Sequence, residues 1–440
     1  MSDTLKAGAS QVDISPKDSQ FLYGYPHVER YSTGIHDRIQ SSSLYLNDGE
    51  HEVLFIANDI IYLTKKVTDE VKEIIEKQTG ISKRNIVITA THTHSGPSVS
   101  KHLNNRADKA VPEPDAGYVS FLKEMIVKSA VNACKSIASA ELGFSVADST
   151  GIGTNRRDPE GVSDHQVPVM VVRNSQTKEY IACMLVCSMH PTVLHEDSTL
   201  VSGDFPGMSR KYLQETVFGK DCPVLHHTGP AGNQSPRHIT KANTFEEAIR
   251  LGEMLGRSVK SAILSVKYKR DMNISLKSKV LDDLPRKVFP SVELSELKLA
   301  NAVDTLSELR KKNASKQQIR TAECDWFGAE ESLTLSKAAI DGSLEEAYKN
   351  LLPVTIHLVS IGNYNFVFWP GEIFVEYALE VKSKCPNTFV VSLANQQLQG
   401  YIVTQEAFVQ GGYEASNSLF AWQTGQVFVD ETLELLQTCG

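Results

Sequence analysis

The stretch Thr91-His92-Thr93-His94 sets two imidazoles two residues apart. It follows Asn85-Ile86-Val87-Ile88-Thr89-Ala90, an apolar run that reads as a buried strand, and precedes the turn signal Ser95-Gly96-Pro97. In extended chain, residues i and i+2 project to the same side. Imidazoles so placed can share a divalent metal, or one can bind metal while the other handles a proton. They can equally be hydrogen-bonded histidines at a sheet edge.

Other residues of ligand type fall at similar places. His92, His190 and Glu372 each lie within a few residues of the carboxyl end of a predicted apolar strand, and Tyr401 lies eight residues beyond the last one. Open α/β sheets place ligands at the carboxyl ends of strands. Two imidazoles and a carboxylate are a ligand set of catalytic zinc, which keeps one position open for water. His195, His226 and His227 fit the same pattern.

The elements that must position these groups follow from periodicity and turn chemistry. Leu44-Tyr45-Leu46 and Val53-Leu54-Phe55-Ile56 flank Asn47-Asp48-Gly49 and predict a hairpin. Residues 64–79 predict a helix with Val67, Val71, Ile74 and Ile75 on one face and Gly80 as its stop. Residues 116–138 predict another, with Leu122, Ile126, Ala130, Ala133 and Ile137 at core spacing. Strands are expected over 167–172 and 180–187, at 223–225, over 354–361 and 365–369, and over 388–393. A helix is expected from about Phe245 to Leu264, another from Pro370-Gly371-Glu372 to about Lys384, and a long loop over 395–418. The charged stretch 283–350 reads as a mostly helical excursion between strands, either over the active site or simply solvated. Helices alternating with strands and hairpins predict an α/β fold with a mixed central sheet and flanking helices.

Composition narrows the partners. The 440 residues are 41% hydrophobic and 22% charged, enough for a sizeable core, and the net charge is −8. Bulk charge of that sign argues against nucleic acid or an anionic membrane. Met1–Lys6 has no secretory pattern, and no apolar run is long enough to span a bilayer. The seven scattered cysteines (134, 183, 187, 222, 324, 385, 439) lack C-x-x-C spacing and read as reduced thiols, so a cytoplasmic setting is expected.

Taken in order, the motifs resemble those of the neutral/alkaline (non-lysosomal) ceramidase family. The resemblance rests on Ala90-Thr91-His92-Thr93-His94-Ser95-Gly96-Pro97, Gly34-Ile35-His36, Asn155-Arg156, and His190 followed by Ser202-Gly203-Asp204. It continues through Gly232-Asn233-Gln234-Ser235-Pro236, Pro370-Gly371-Glu372, and Tyr401 with Tyr413-Glu414 twelve residues on. It implies Zn2+ held by His92, His190, Glu372 and Tyr401. His94 would be the general base acting on a zinc-activated water, and Arg156 and Tyr413 would donate to the developing oxyanion. Ser235 and Asn155 would belong to the substrate pocket, and Asp204 would orient a histidine ligand.

The implied protein is one catalytic domain over residues 1–440, acting on an amide (N-acyl) bond of a small-molecule or lipid-like substrate. The alternatives are an esterase or lactonase on a small soluble substrate, a non-catalytic binding protein on the same fold, and manganese or iron in place of zinc. Ser98-Val99 stand where the family has glycines, Gly-Asn-Gln replaces its Gly-Asp-Val, and no counterpart of its C-terminal immunoglobulin-like domain is expected.

Overall fold

The computed structural model describes residues 5–437. An eight-stranded mixed sheet holds, in spatial order, Val224–Thr228, Tyr180–Cys187, Gln166–Asn174, Ala138–Asp148, Lys6–Asp13, Gln40–Asn47, Glu52–Asn58 and Ile86–Ala90. The outermost pair at each edge is parallel and the inner pairings are antiparallel. A second sheet, Ile274–Leu281, Val354–Ile361, Tyr364–Phe368 and Thr388–Val391, packs on the first. The expected mixed α/β class holds, with the strands divided between two sheets.

Strand alternation explains the layers. In Glu52–Asn58, Val53, Phe55 and Ala57 point between the sheets, while Leu54 and Ile56 point outward to the helices Lys65–Thr79 and Ala116–Lys135. In Gln166–Asn174, Met170 and Val172 point inward, and Val169 and Val171 meet the helices Asp204–Leu213 and Phe245–Ile263. In Tyr364–Phe368, Phe366 and Phe368 face the first sheet and Val367 faces the outer helices of the second. A period of two therefore feeds two faces of each sheet, and every face is covered.

Closure of the large sheet brings its distant edges together. The Thr228 hydroxyl donates to the Thr91 carbonyl at 2.7 Å, and Thr89 Oγ1 lies 2.8 Å from His227 Nδ1. The chain leaving Thr388–Val391 seals the seam: Ser392 N donates to Thr228 O (2.8 Å), and Asn395 N donates to Ile88 O (2.6 Å). The same segment holds the turn after Tyr364–Phe368, because Leu393 N donates to Gly371 O. Three loops from non-adjacent strands thus end side by side.

Most elements appear where expected, with informative exceptions. Gly80 stops the first helix as anticipated and Thr64 caps its start, but Ile74 is 40% exposed and Ile137 43%. Ile137 lies past the end of its helix at Lys135. Glu372 does not open a helix. Glu372–Ile373 pairs in parallel with Tyr401–Ile402, and the helix begins at Val375. The expected long loop contains helices Gln405–Gln410 and Tyr413–Asn417. Residues 292–311, 316–341 and 343–351 are helical. Six cysteines are free thiols, and Cys439 and Met1–Thr4 lie outside the described residues. Among the described residues no helix is long and apolar enough to cross a membrane.

One buried ion pair ties an outer helix to the loop beneath the histidines. Arg210 Nη2 lies 2.6 Å from Asp59 Oδ2, both nearly inaccessible, and Asp59 also accepts from Gln40 N. The next residues supply carbonyls that hold the histidine turn. Asp59→Ala strands a buried guanidinium and is expected to destabilise the protein by about 3–5 kcal/mol. Denaturant melts measure this, and a loss below about 1 kcal/mol contradicts it.

Candidate active site

The histidine pair sits on a strained turn. His92 has φ +68°, so the chain is not extended there, as the i, i+2 argument assumed. Bulky residues in that region cost free energy and persist only where the surroundings dictate them. Here Thr91 N donates to Asn58 O (2.8 Å) and His92 N to Ile60 O (2.9 Å). The kink still brings His92 Nε2 and His94 Nε2 within 3.4 Å. His94 also needs a glycine opposite it. A Cβ on Gly24, itself at φ +125°, would fall 2.3 Å from His94 Nδ1.

His92, His190 and Glu372 converge more tightly. His92 Nε2, His190 Nε2 and Glu372 Oε2 are each 3.1 Å from the other two. The other ring nitrogens define the tautomers. His92 Nδ1 faces Ile61 O (3.0 Å), His190 Nδ1 faces Ala231 O (2.5 Å) and Gln234 O, and His94 Nδ1 faces Gly24 O (3.1 Å). A carbonyl only accepts, so each Nδ1 carries the proton and each neutral ring turns an Nε2 lone pair inward. With the Glu372 carboxylate, the centre is a set of acceptors with no hydrogen among them. A cation satisfies that arrangement. Tetrahedral zinc with bonds of about 2.0–2.1 Å separates its ligand atoms by about 3.3–3.4 Å, close to the spacing present. His92, His94 and His190 also each offer a nitrogen within 4.8 Å of the other two, so this buried group could hold a metal ion.

Burial and neighbouring groups keep the His94 and His190 rings neutral. Burial, and then the His92 and His190 rings, hold His94 well below the ordinary imidazole range. Burial and then Arg156 bring His190 to about 4. Glu372 Oε1 accepts from the Tyr62 hydroxyl at 2.6 Å.

Tyr401 lies in register with Glu372 in the short parallel pair, and its ring centroid is 6.5 Å from that of His190. The Arg156 guanidinium sits 5.1 Å over the Tyr401 ring, and Tyr413 meets that ring edge-on at 6.0 Å. Burial raises the Tyr401 phenol and Arg156 opposes the rise. Arg156 Nε donates to Glu414 Oε1 at 2.8 Å, while its Nη2 is buried without a hydrogen-bond partner. Arg157 binds the other Glu414 oxygen (2.9 Å) and so faces away from that role.

The loop Gly232–Pro236 acts as scaffold. Arg156 N donates to Asn233 O, His190 N to Gln234 O, and Gly232 N to Ile373 O. Ser235 Oγ caps the turn after it by accepting from Arg237 N, and Asn155 Oδ1 accepts from Arg157 N while its amide holds Val162 O. Neither lines the cleft that opens on His94, Glu372 and Tyr401. Asp204 accepts from Leu194 N and Phe205 N, so it orders backbone and not a histidine ring. His226 and His227 are buried in strand Val224–Thr228 away from the cluster.

Tyr62, Tyr23, His102 and Glu331 are among the cleft residues that the sequence does not single out. Tyr62 follows a strand end by a few residues, the signal that marked the histidines, but a lone tyrosine there suggests no chemistry. The cavity itself is about 40 Å³.

A family model described as neutral/alkaline non-lysosomal ceramidase, N-terminal, matches residues 5–227. The neutral ceramidase of Mycobacterium tuberculosis (strain ATCC 25618 / H37Rv) is 26% identical over 239 residues, covering 49% of this chain and 37% of that protein. The matched region is thus well under half of that relative's length. The crystal structure of neutral ceramidase from Pseudomonas aeruginosa superposes with a TM-score of 0.74 at 16% identity, over 99% of this chain and 75% of that one. A ceramidase complexed with C2 gives 0.74 at 15% identity, over 99% and 76%. These structures share the fold, and the family model covers just over half of the sequence. The chain belongs to the neutral/alkaline non-lysosomal ceramidase family.

Proposed function

We propose that this protein is a zinc-dependent hydrolase that cleaves an N-acyl (amide) bond, with His92, His190, Glu372 and Tyr401 holding the ion. The observation that carries the reading is the centre of inward lone pairs with no proton between them. Zinc, when bound, would acidify water and polarise a carbonyl. His94, neutral and facing the cleft, takes a proton from water and returns it to the leaving nitrogen as the C–N bond breaks. The buried, unpartnered Nη2 of Arg156 donates to the carbonyl oxygen as charge builds there, with the Tyr413 hydroxyl as second donor. Tyr62 holds Glu372 in place from the other side. Cysteine, serine and acid nucleophiles have no part in this scheme.

A second reading concerns the substrate. Tyrosines, asparagines and two carboxylates wall the cavity, a polar lining that favours a polar acyl compound over two long apolar chains. Amide, ester and lactone carbonyls all suit the same donors. Kinetics on short N-acyl compounds, small esters, lactones and long-chain ceramide separate the readings. The expected order puts a soluble compound first in kcat/KM. If long-chain ceramide exceeds every soluble candidate, the polar-substrate reading fails and the ceramidase reading stands alone.

A further inference from the structure

At the far wall of the same cleft, the helix Lys316–Asp341 contributes a carboxylate that the proposed chemistry does not use. Glu331 is 4% exposed and lines the cavity. Asn104 Nδ2 donates to its Oε2 at 3.1 Å, Asn105 Nδ2 approaches its Oε1 at 3.5 Å, and the Asn417 amide adds a donor. Among the described residues it forms no salt bridge. Its neighbour Glu330 does, to His27 Nε2 at 2.8 Å, which pins this part of the helix over the loop that also carries Tyr23 and Gly24.

Because both amides spend their nitrogens on Glu331, both turn their oxygens elsewhere. Asn104 Oδ1 and Asn417 Oδ1 are buried, without any hydrogen-bond partner, on residues that line the cavity. The residues of this wall therefore carry two orphan carbonyl oxygens and a carboxylate, with no cationic side chain among them. Buried acceptors left bare are costly, so the arrangement makes sense when a donor-rich group arrives from outside. An ammonium has three donors and a full charge, matching three acceptors of which one is anionic. Burial outweighs the amide donors and pushes the carboxyl up to about 7, and a cation seated there would draw it back toward the ionised form.

We propose that Glu331, Asn104 and Asn417 form a subsite for a primary ammonium group carried by the substrate. The substrate class is then an amine-bearing acyl compound, its carbonyl at the His94 end of the cavity and its ammonium at the Glu331 end. The word substrate here rests on the hydrolase reading, whereas the binding itself does not.

Calorimetric titration of the purified protein with propylammonium and with propan-1-ol, at about pH 8.5 where an alkylamine stays charged, tests the subsite. Propylammonium is expected to bind on the order of 10–100-fold more tightly than the alcohol, and Glu331→Gln to erase the difference. Glu346→Gln, which alters an exposed carboxylate on the following helix, is expected to leave the preference intact. Equal affinity for the two probes, binding of neither, or a preference that survives in Glu331→Gln overturns the proposal. The contrast between probes on the unmodified protein stands even if the Glu331→Gln variant folds poorly. A protein that binds propylammonium yet hydrolyses no acyl compound keeps the subsite and loses the hydrolase reading. One that turns over neutral acyl compounds and ignores propylammonium does the reverse.

Discussion

Replacing His94 by alanine is expected to lower kcat on the order of 10²–10⁴-fold while leaving metal content nearly intact. The reason lies in the spacing. His92, His190 and Glu372 offer three atoms at 3.1 Å from one another, whereas His94 Nε2 stands 3.4 Å from His92 Nε2 and its ring faces the cavity. A ring in that position reaches both water and the leaving nitrogen. Its Nδ1–H is fixed by Gly24 O and its own carbonyl accepts from Arg30 Nη1 at 2.9 Å, so the lone pair is aimed before substrate arrives. Elemental analysis and steady-state kinetics on one preparation check both halves. If His94→Ala loses metal as completely as His92→Ala does, His94 is a ligand and the division of roles is wrong.

Glu372→Gln should produce an opposite pair of effects. The carboxylate is the only anion among the tight three, and its loss is expected to weaken metal binding at least 10–100-fold and to remove turnover. Without metal, the same substitution should stabilise the protein. A glutamine amide offers two donors where the unmodified centre has only acceptors, so His92 Nε2 or His190 Nε2 gains a partner. Thermal melts with and without added Zn2+ read this directly. The unmodified protein should gain about 2.7 kcal/mol at a metal concentration 100 times Kd, and the variant almost nothing. A variant that melts lower than the unmodified protein in chelator, and rises with zinc as much, contradicts the account.

Local patterns made much of this site legible. Strand Ile86–Ala90, its turn, and the positions of His190 and Glu372 just past other strands are properties of short segments, and the period of two exposes them. The convergence is not local. It depends on two edges of an eight-stranded sheet closing on each other through Thr228–Thr91 and the segment 392–395, pairings between residues more than a hundred apart. The left-handed turn at His92 has no residue signature, because tertiary hydrogen bonds to Asn58 and Ile60 impose it. Second partners were invisible for a similar reason. Asp204 looked suited to orient a histidine, yet backbone carbonyls of Ile61, Ala231 and Gln234 do so, and a carbonyl carries no residue type to read. The family resemblance implies that Ser235 and Asn155 belong to the pocket, but turns of the neighbouring backbone consume their polar atoms. Ile74 and Ile137 show the ordinary limit of helical periodicity at an element's flank and beyond its end.

Metal content of the purified protein, measured together with turnover before and after chelation, tests the central claim most directly. The inward lone pairs of His92 and His190 beside the Glu372 carboxylate predict one divalent ion per chain, zinc by ligand type. They also predict loss of turnover on its removal, and recovery on adding zinc back. Turnover undiminished in a preparation shown to hold no metal would contradict the account.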